Sequence, residues 1–243
     1  ESGFEAYFVG GCVRDYLRGV IPADYDIVTS ALPDQVIGLF DRTVAVGARF
    51  GVVVVMDGDY SFEVATFRSD DAYEDGRRPS RIHYSSARED VFRRDFTING
   101  LLMDAETGEV IDYVDGCADI ASRIIRTIGD PAVRFGEDYL RMLRAIRFAA
   151  NLDFTLDVAT KNAIIEHAHR IKDTSAERIQ EELNKILTRG GARRGLEMMA
   201  ETGILKQILP EVENMRGVLQ PPRFHPEGDV WEHTMIMMKR LSD

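Results

Sequence analysis

Cysteine is scarce in this chain. Cys12 and Cys117 are the only two among 243 residues, and their separation offers neither a disulfide framework nor a metal-ligand spacing. That usage suits a reducing, cytoplasmic setting. Long apolar runs are missing as well: no stretch approaches the ~18 apolar residues of a membrane span, and Glu-Ser-Gly-Phe at the start does not read as a signal peptide. No Gly-x-x-x-x-Gly-Lys-Ser/Thr stretch occurs, which excludes a P-loop phosphate site. Positive charge is in deficit, with 30 Lys and Arg against 41 Asp and Glu and a net charge of −11. This balance argues against nucleic-acid binding by the whole surface, but leaves room for a local groove where arginines cluster. Nothing in the sequence points to a protein partner.

What is present describes an ordinary globular protein, 44% hydrophobic and 29% charged, long enough for one large or two modest domains. The informative stretch is 7–26. Tyr7-Phe8-Val9 suits a buried strand, ended by Gly10-Gly11. A short helix with Val13 and Leu17 on its apolar face follows, and Gly19 can stop it in a left-handed cap. A bare diglycine turn lets a phosphate approach backbone N–H groups directly, with Arg14 beside it to share the charge. In a strand through Tyr25-Asp26-Ile27-Val28, Asp24 and Asp26 project the same way, roughly 6–7 Å apart at the Cα. Paired carboxylates beside a phosphate cradle are how a protein holds magnesium against a triphosphate. Each piece is common alone; the conjunction within twenty residues points to function.

Residues 32–41 suit a short amphipathic helix entered through Pro33, and strands Gly51–Met56 and Ser61–Phe67 are joined through Asp57-Gly58. Glu63 reads either as a third acid near the metals or as a cross-strand partner of a surface base. Residues 68–94 are polar, with arginines at 68, 77, 78, 81, 88, 93 and 94, and Asp75-Gly76-Arg77-Arg78-Pro79 reads as a loop. In Arg93-Arg94-Asp95, Asp95 can cap a helix that begins there, while Arg94 needs an anionic or hydroxyl partner. A hairpin around Thr107-Gly108 and a strand at Ile124–Ile128 complete a mixed α/β head over 1–130. Beyond Gly129-Asp130-Pro131 the pattern turns helical.

Gly136–Ala150 reads as one continuous helix, in which Asp138 and Arg141 are neighbours three residues apart. They form either a plain ion pair or a reader of base edges. A carboxylate only accepts hydrogen bonds and a guanidinium only donates. Together they match the amino group and ring nitrogen of cytosine or adenine and mismatch uracil and guanine, with ~1–3 kcal/mol of discrimination per paired edge. Thr174-Ser175-Ala176-Glu177 reads as a capping box. Arg189, Arg193 and Arg194 make a basic cluster suited to RNA backbone or to a helix end.

Gly10-Gly11-x-Val13-Arg14-Asp15 followed by Asp24-x-Asp26 resembles the opening motif of the bacterial-type (class II) CCA-adding tRNA nucleotidyltransferases, which the bacterial poly(A) polymerases share. Arg93-Arg94-Asp95 and Glu137-Asp138-x-x-Arg141 continue the resemblance, which covers roughly residues 4–215. It implies an α+β architecture: a polymerase-beta-like mixed-sheet head at 1–130, an all-α neck and body at 131–215, and the start of an HD-like helical segment at 216–243. It implies Asp24 and Asp26 as catalytic metal ligands for Mg2+, in a two-metal attack of the tRNA 3′-hydroxyl on the α-phosphate of CTP or ATP with loss of pyrophosphate. It also implies Gly11, Arg14, Arg94, Asp138, Arg141, Arg144 and Arg147 as nucleotide-binding residues, and the segment around Asp75–Pro79 as a flexible catalytic loop. Gly100 stands where alanine is commoner in the family.

CCA addition is the leading reading, with A-only addition or poly(A) synthesis as alternatives and a small-molecule nucleotidyltransferase as a more remote one. The absence of a basic residue after Phe50 favours tRNA over poly(A) synthesis, and the loop with Asp75–Pro79 argues against a CC-only enzyme. His225 and His233, with nearby acids, resemble the opening of a His-Asp phosphohydrolase segment. No His-Asp pair follows in these residues, and no metal is assigned there.

Overall fold

The computed structural model describes residues 2–47, 51–70 and 82–242. Arg77, Arg78 and Arg81, with the whole Asp75–Pro79 loop, lie outside the described residues, as do residues 48–50. The chain divides into two compact units, one made of 1–122 and 126–129 and the other of 123–125 and 130–243.

The first unit runs β1 (Ala6–Val9), α1 (Gly11–Leu17), β2 (Asp26–Thr29), α2 (Pro33–Leu39), β3 (Thr43–Gly47), β4 (Val52–Asp57), β5 (Tyr60–Thr66), β6 (Arg68–Asp70), β7 (Ile82–Tyr84), α3 (Ala87–Phe92), β8 (Leu101–Asp104), β9 (Val110–Asp112) and α4 (Gly116–Ser122). Seven strands form one sheet in the order β3-β4-β5-β2-β1-β8-β9, and β6 pairs with β7 apart from it. The sheet is mixed because β2 lies parallel to β5 while β1 is antiparallel to both β2 and β8. Alternation sends Val9, Val28, Phe67 and Leu102 to one face, under Ala87 and Val91 of α3. The other face packs on α1 through Cys12, Val13 and Leu101, and on α2 through Val36, Val53, Val55 and Val64. Dry layers on both faces fix the strand ends that carry the polar residues.

The second unit contains β10 (Ile124–Ile125), α5 (Pro131–Glu137), α6 (Leu140–Leu152), β11 (Thr155–Leu156), α7 (Val158–His167), α8 (Ala176–Thr188), α9 (Ala192–Glu201), α10 (Ile204–Ile208), α11 (Pro210–Glu213) and α12 (Val230–Ser242). Helix α6 is its centre, with Met142, Leu143, Ala145, Ile146 and Ala149 fully buried and both α8 and α9 packed against it. Asp130 caps α5 by accepting from Ala132 N (2.9 Å) and Val133 N (3.0 Å), and Asp157 caps α7 in the same way.

Several local expectations need correction. The continuous helix over 136–150 is broken: α5 ends at Glu137, and Asp138 is extended at φ −159° and ψ 104°. Asp138 Oδ1 accepts from Leu140 N at 3.1 Å, a side-chain-to-backbone bond that competes with helix propagation. No α-helix starts at Asp95. Thr97–Asn99 is a single 3₁₀ turn, because Thr97 N donates to Arg126 O (3.0 Å) and Phe96 bridges Thr127, which draws the backbone out. The strand at Ile124–Ile128 shrinks to β10 plus that bridge. The capping box at Thr174 does not form. Ser175 is the N-cap of α8 and makes no side-chain cap bond; this puts Glu177 one residue short of the position a box requires.

Candidate active site

At one end of the head sheet three acids gather. Asp26 is the first residue of β2, and its register partner on β5 is Glu63, so the two leave the same face of adjacent strands. Asp24 precedes the strand and is exposed. Protein atoms packed around the Asp26 carboxyl raise its pKa, the negative charges of Asp24 and Glu63 raise it further, and Arg94 opposes them. Among the described residues no side chain donates a hydrogen bond to the carboxylates of Asp24, Asp26 or Glu63; the Cys12 thiol reaches only the Asp26 backbone carbonyl. Glu63 pairs with no surface base among the described residues, and its charge acts on Asp26. Hard oxygen donors with uncompensated charge fit a divalent cation such as magnesium.

Beside them lies the glycine turn. Gly10 has φ +74°, a left-handed conformation that favours glycine. A Cβ built on Gly10 would sit 3.5 Å from Arg94 Nη1, and one on Gly11 3.7 Å from Arg14 Nη2. Two guanidinium groups thus flank the turn. Arg14 is buried; its Nη1 donates to Asn99 Oδ1 at 2.8 Å, and its Nε and Nη2 donate to Asp15 at 3.0 and 2.9 Å. Asn99 in turn donates to Asp95 (3.2 Å), which also accepts from Phe96 N. This network ties the motif at 10–15 to the motif at 93–99.

Sequence reasoning missed Asp90. Its carboxylate is fully buried and gives one oxygen to each arginine of the pair: Arg93 donates to Oδ1 through Nε (2.9 Å) and Nη2 (2.7 Å), and Arg94 to Oδ2 through Nε (3.2 Å) and Nη2 (2.9 Å). Burial alone would raise this carboxyl, but Arg94 and Arg93 outweigh it and hold it below the ordinary value. The available signal was the spacing of three and four residues.

In the helical unit, Asp138 does not pair with Arg141. Arg178 of α8 holds it through Nη1 to Oδ1 (3.2 Å) and Nη2 to Oδ2 (2.7 Å). Arg141, also buried, donates to the Arg134 carbonyl and to Glu137. Arg144 stands with its guanidinium carbon 5.6 Å from the Phe148 ring centre. Arg147 is buried against Glu182, with its Nε 2.5 Å from Oε2. Its guanidinium is therefore committed to the helical core. In the basic cluster, Arg194 bonds to Asp153 and to the Phe154 carbonyl, and Arg193 to Glu197.

His225, Glu227 and His233 converge. Both imidazole Nδ1 atoms face Glu227 Oε1, at 3.2 and 2.5 Å. Among the described residues this is the one group of three or more His, Cys, Asp or Glu whose ligand atoms all lie within 4.8 Å of one another. The hydrogen bond from His233 is the largest of the causes that lower Glu227 to about 2. Also among the described residues, no helix is long and apolar enough to cross a membrane.

Comparison with known proteins agrees with this geometry. Residues 6–126 match the family model described as "Poly A polymerase head domain", and residues 153–216 match that described as "Probable RNA and SrmB- binding site of polymerase A". The chain is 48% identical over 221 residues to a CCA-adding enzyme of Geobacillus sp. (strain WCH70), which covers 90% of this chain and 54% of the relative. It is similar to the crystal structure of the Bacillus stearothermophilus CCA-adding enzyme in complex with CTP, at TM-score 0.81 and 42% identity, over 88% of this chain and 52% of that one. It is also similar to the Thermotoga maritima CCA-adding enzyme complexed with tRNA, at TM-score 0.69 and 26% identity, over 86% and 49% of the two chains. The chain spans about half the length of the curated relatives it matches. Such nucleotidyltransferases generally use divalent metals. With a mixed-sheet head, paired acids beside a glycine turn, and both family models matched in order along its length, this chain belongs to the poly(A) polymerase and CCA-adding tRNA nucleotidyltransferase family.

Proposed function

We propose that this chain carries the machinery for template-independent addition of CMP and AMP, from CTP and ATP, to the 3′ end of tRNA. The observation that carries this reading is the trio Asp24, Asp26 and Glu63, whose carboxylates accept no hydrogen bond from a described side chain, with Arg94 acting on Asp26 and also standing beside the glycine turn.

Asp24 and Asp26 would hold magnesium. When bound, it lowers the pKa of the attacking hydroxyl and neutralises charge on the triphosphate. The tRNA 3′-oxygen forms a bond to the α-phosphorus as the bond to the bridging oxygen of pyrophosphate breaks, and the hydroxyl proton leaves to solvent. Gly11 presents backbone without a side chain in the way, while Arg14 and Arg94 meet phosphate and ribose oxygens. Asp138 and Arg141 read the base edge, the acid accepting the exocyclic amino hydrogen and the guanidinium donating to the ring nitrogen. Arg144 is a further contact to the nucleotide, and Arg147 supports the reading helix through Glu182. The reaction belongs in the cytoplasm, where tRNA is matured.

The test offers tRNA lacking its 3′ end to the full chain, with magnesium and each nucleotide singly and in pairs, and sequences the products. Addition of C, C and A in that order is expected. A-only products or a long A-tail would reassign the activity within the family, and no incorporation from any mixture would remove the polymerase reading.

A further inference from the structure

We propose that Asp90 is a positioning residue of the nucleotide site: its buried carboxylate keeps Arg94 off the metal-binding acids and aimed at the incoming nucleotide. The inference rests on the reading above and adds to it a residue that touches no substrate.

The argument is one of competing partners. Arg94 stands between two negative centres. On one side is Asp90, with no exposure to solvent; on the other is the Gly10 turn, where Arg94 Nη1 lies beside Gly10 and the preceding Val9 is the register partner of Asp26. An arginine this near Asp26, whose carboxylate has no ion-pair partner among the described residues, is drawn to it, and an ion pair there would occupy oxygens the metal needs. Asp90 removes that option by taking Nε and Nη2 of Arg94 at 3.2 and 2.9 Å. The remaining nitrogen, Nη1, donates to no described residue and lies beside Gly10. A guanidinium held by one edge keeps its other edge for a ligand.

Asp90 is itself fixed. Arg93 binds its other oxygen, and Arg68 N donates to that oxygen at 3.3 Å. Its place on α3, whose Ala87 and Val91 enter the core, makes the anchor as rigid as the sheet. An exposed pair at this helical spacing contributes only a few tenths of a kcal/mol. Burial of the acid is what turns it into a rigid hold.

The experiment compares the full chain with Asp90→Asn and Arg94→Gln, alone and together. It measures CTP and ATP dissociation constants by equilibrium dialysis, the magnesium concentration for half-maximal incorporation, and melting temperature. Asp90→Asn is expected to weaken nucleotide binding about ten- to a hundred-fold, as for loss of a charged hydrogen bond, and to raise the magnesium requirement. Adding Arg94→Gln should return the magnesium requirement to the wild-type value and weaken nucleotide binding no further. Unchanged dissociation constants and magnesium requirement in Asp90→Asn, or effects of the two substitutions that simply multiply, would overturn the inference.

Arg94→Lys keeps the charge and loses the two-point hold, so it serves if Asp90→Asn does not fold. It too must weaken nucleotide binding, and wild-type affinity in that variant would sink the proposal. Failure of the functional reading looks different: the unmodified chain would incorporate nothing, while dialysis would still report on Asp90.

Discussion

Arg178 and Asp138 are separated by 40 residues in sequence and joined by a two-point ion pair, with Nη1 and Nη2 on Oδ1 and Oδ2. For the base-reading role proposed for Asp138, orientation is decisive, and Arg178 fixes it while Oδ2 keeps a lone pair for a further donor. Arg178→Ala is expected to relax preference for C and A over U and G by ~1–3 kcal/mol. Single-nucleotide incorporation rates for all four nucleotides check this; unchanged ratios would make the pair purely structural.

The carboxylates of Asp24, Asp26 and Glu63 have no ion-pair partner among the described residues to lose. Asp24→Asn and Asp26→Asn are each expected to abolish incorporation at any magnesium concentration, while the melting temperature holds or rises because like-charge repulsion is relieved. Glu63→Gln, one strand further out, should weaken magnesium dependence without abolishing activity. Rate and calorimetric measurements on the same preparations separate the two effects.

Glu182 ties pH to stability. Burial would raise its carboxyl, but Arg147 and Lys185 hold it below the ordinary value of 4.5. The folded pKa is lower than the unfolded one, so the stabilisation is present above the unfolded value and is lost as pH falls through the folded value. Glu182→Gln is expected to cost about 3–5 kcal/mol at neutral pH, since it leaves Arg147 buried without its counter-charge. The gap between variant and parent should narrow as denaturation is followed down to pH 3, and a constant gap would contradict the assignment.

Gly100 lies in no helix. A Cβ there would meet Ile128 Cδ1 and Val114 Cγ2 at 2.9 Å and Val91 Cγ1 at 3.3 Å. These neighbours fill the space that a methyl would take. Gly100→Ala is therefore expected to destabilise by about 1–3 kcal/mol, and Val114→Ala in the same chain should recover part of it. Thermal melts of the single and double variants decide this.

The site was legible where the chemistry demands neighbours in sequence. The glycine turn, Asp24 and Asp26, and the Arg93-Arg94 pair are local arrangements, as are the helix at Pro33 and the turns at Gly58 and Gly108. What escaped comes from distant or competing interactions. Arg178 and Glu182 meet their partners across helices, which no local pattern encodes. The break at Asp138 arises because a short acid prefers the nearby backbone N–H to helix continuity. The helix expected to begin at Asp95 gave way to the bridge between Phe96 and Thr127. A tertiary contact, or at Asp138 a competing local hydrogen bond, outweighed a sound local preference.

The route of the backbone between Arg123 and Asp130 has a practical consequence for anyone who would exchange or express these halves separately. Three residues are lent to the helical half, where Ile124 and Ile125 lie alongside Thr155 and Leu156, and four are then given back. A scissors cut at 130 thus leaves the amino-terminal fragment with an orphaned strand, and the carboxy-terminal fragment with a missing one. A cut at 122 forfeits Thr127 and Ile128, which close over Phe96 and Asp95. No single cleavage point yields two intact pieces, so chimaeras between relatives should carry 123–129 from the same parent as both flanks.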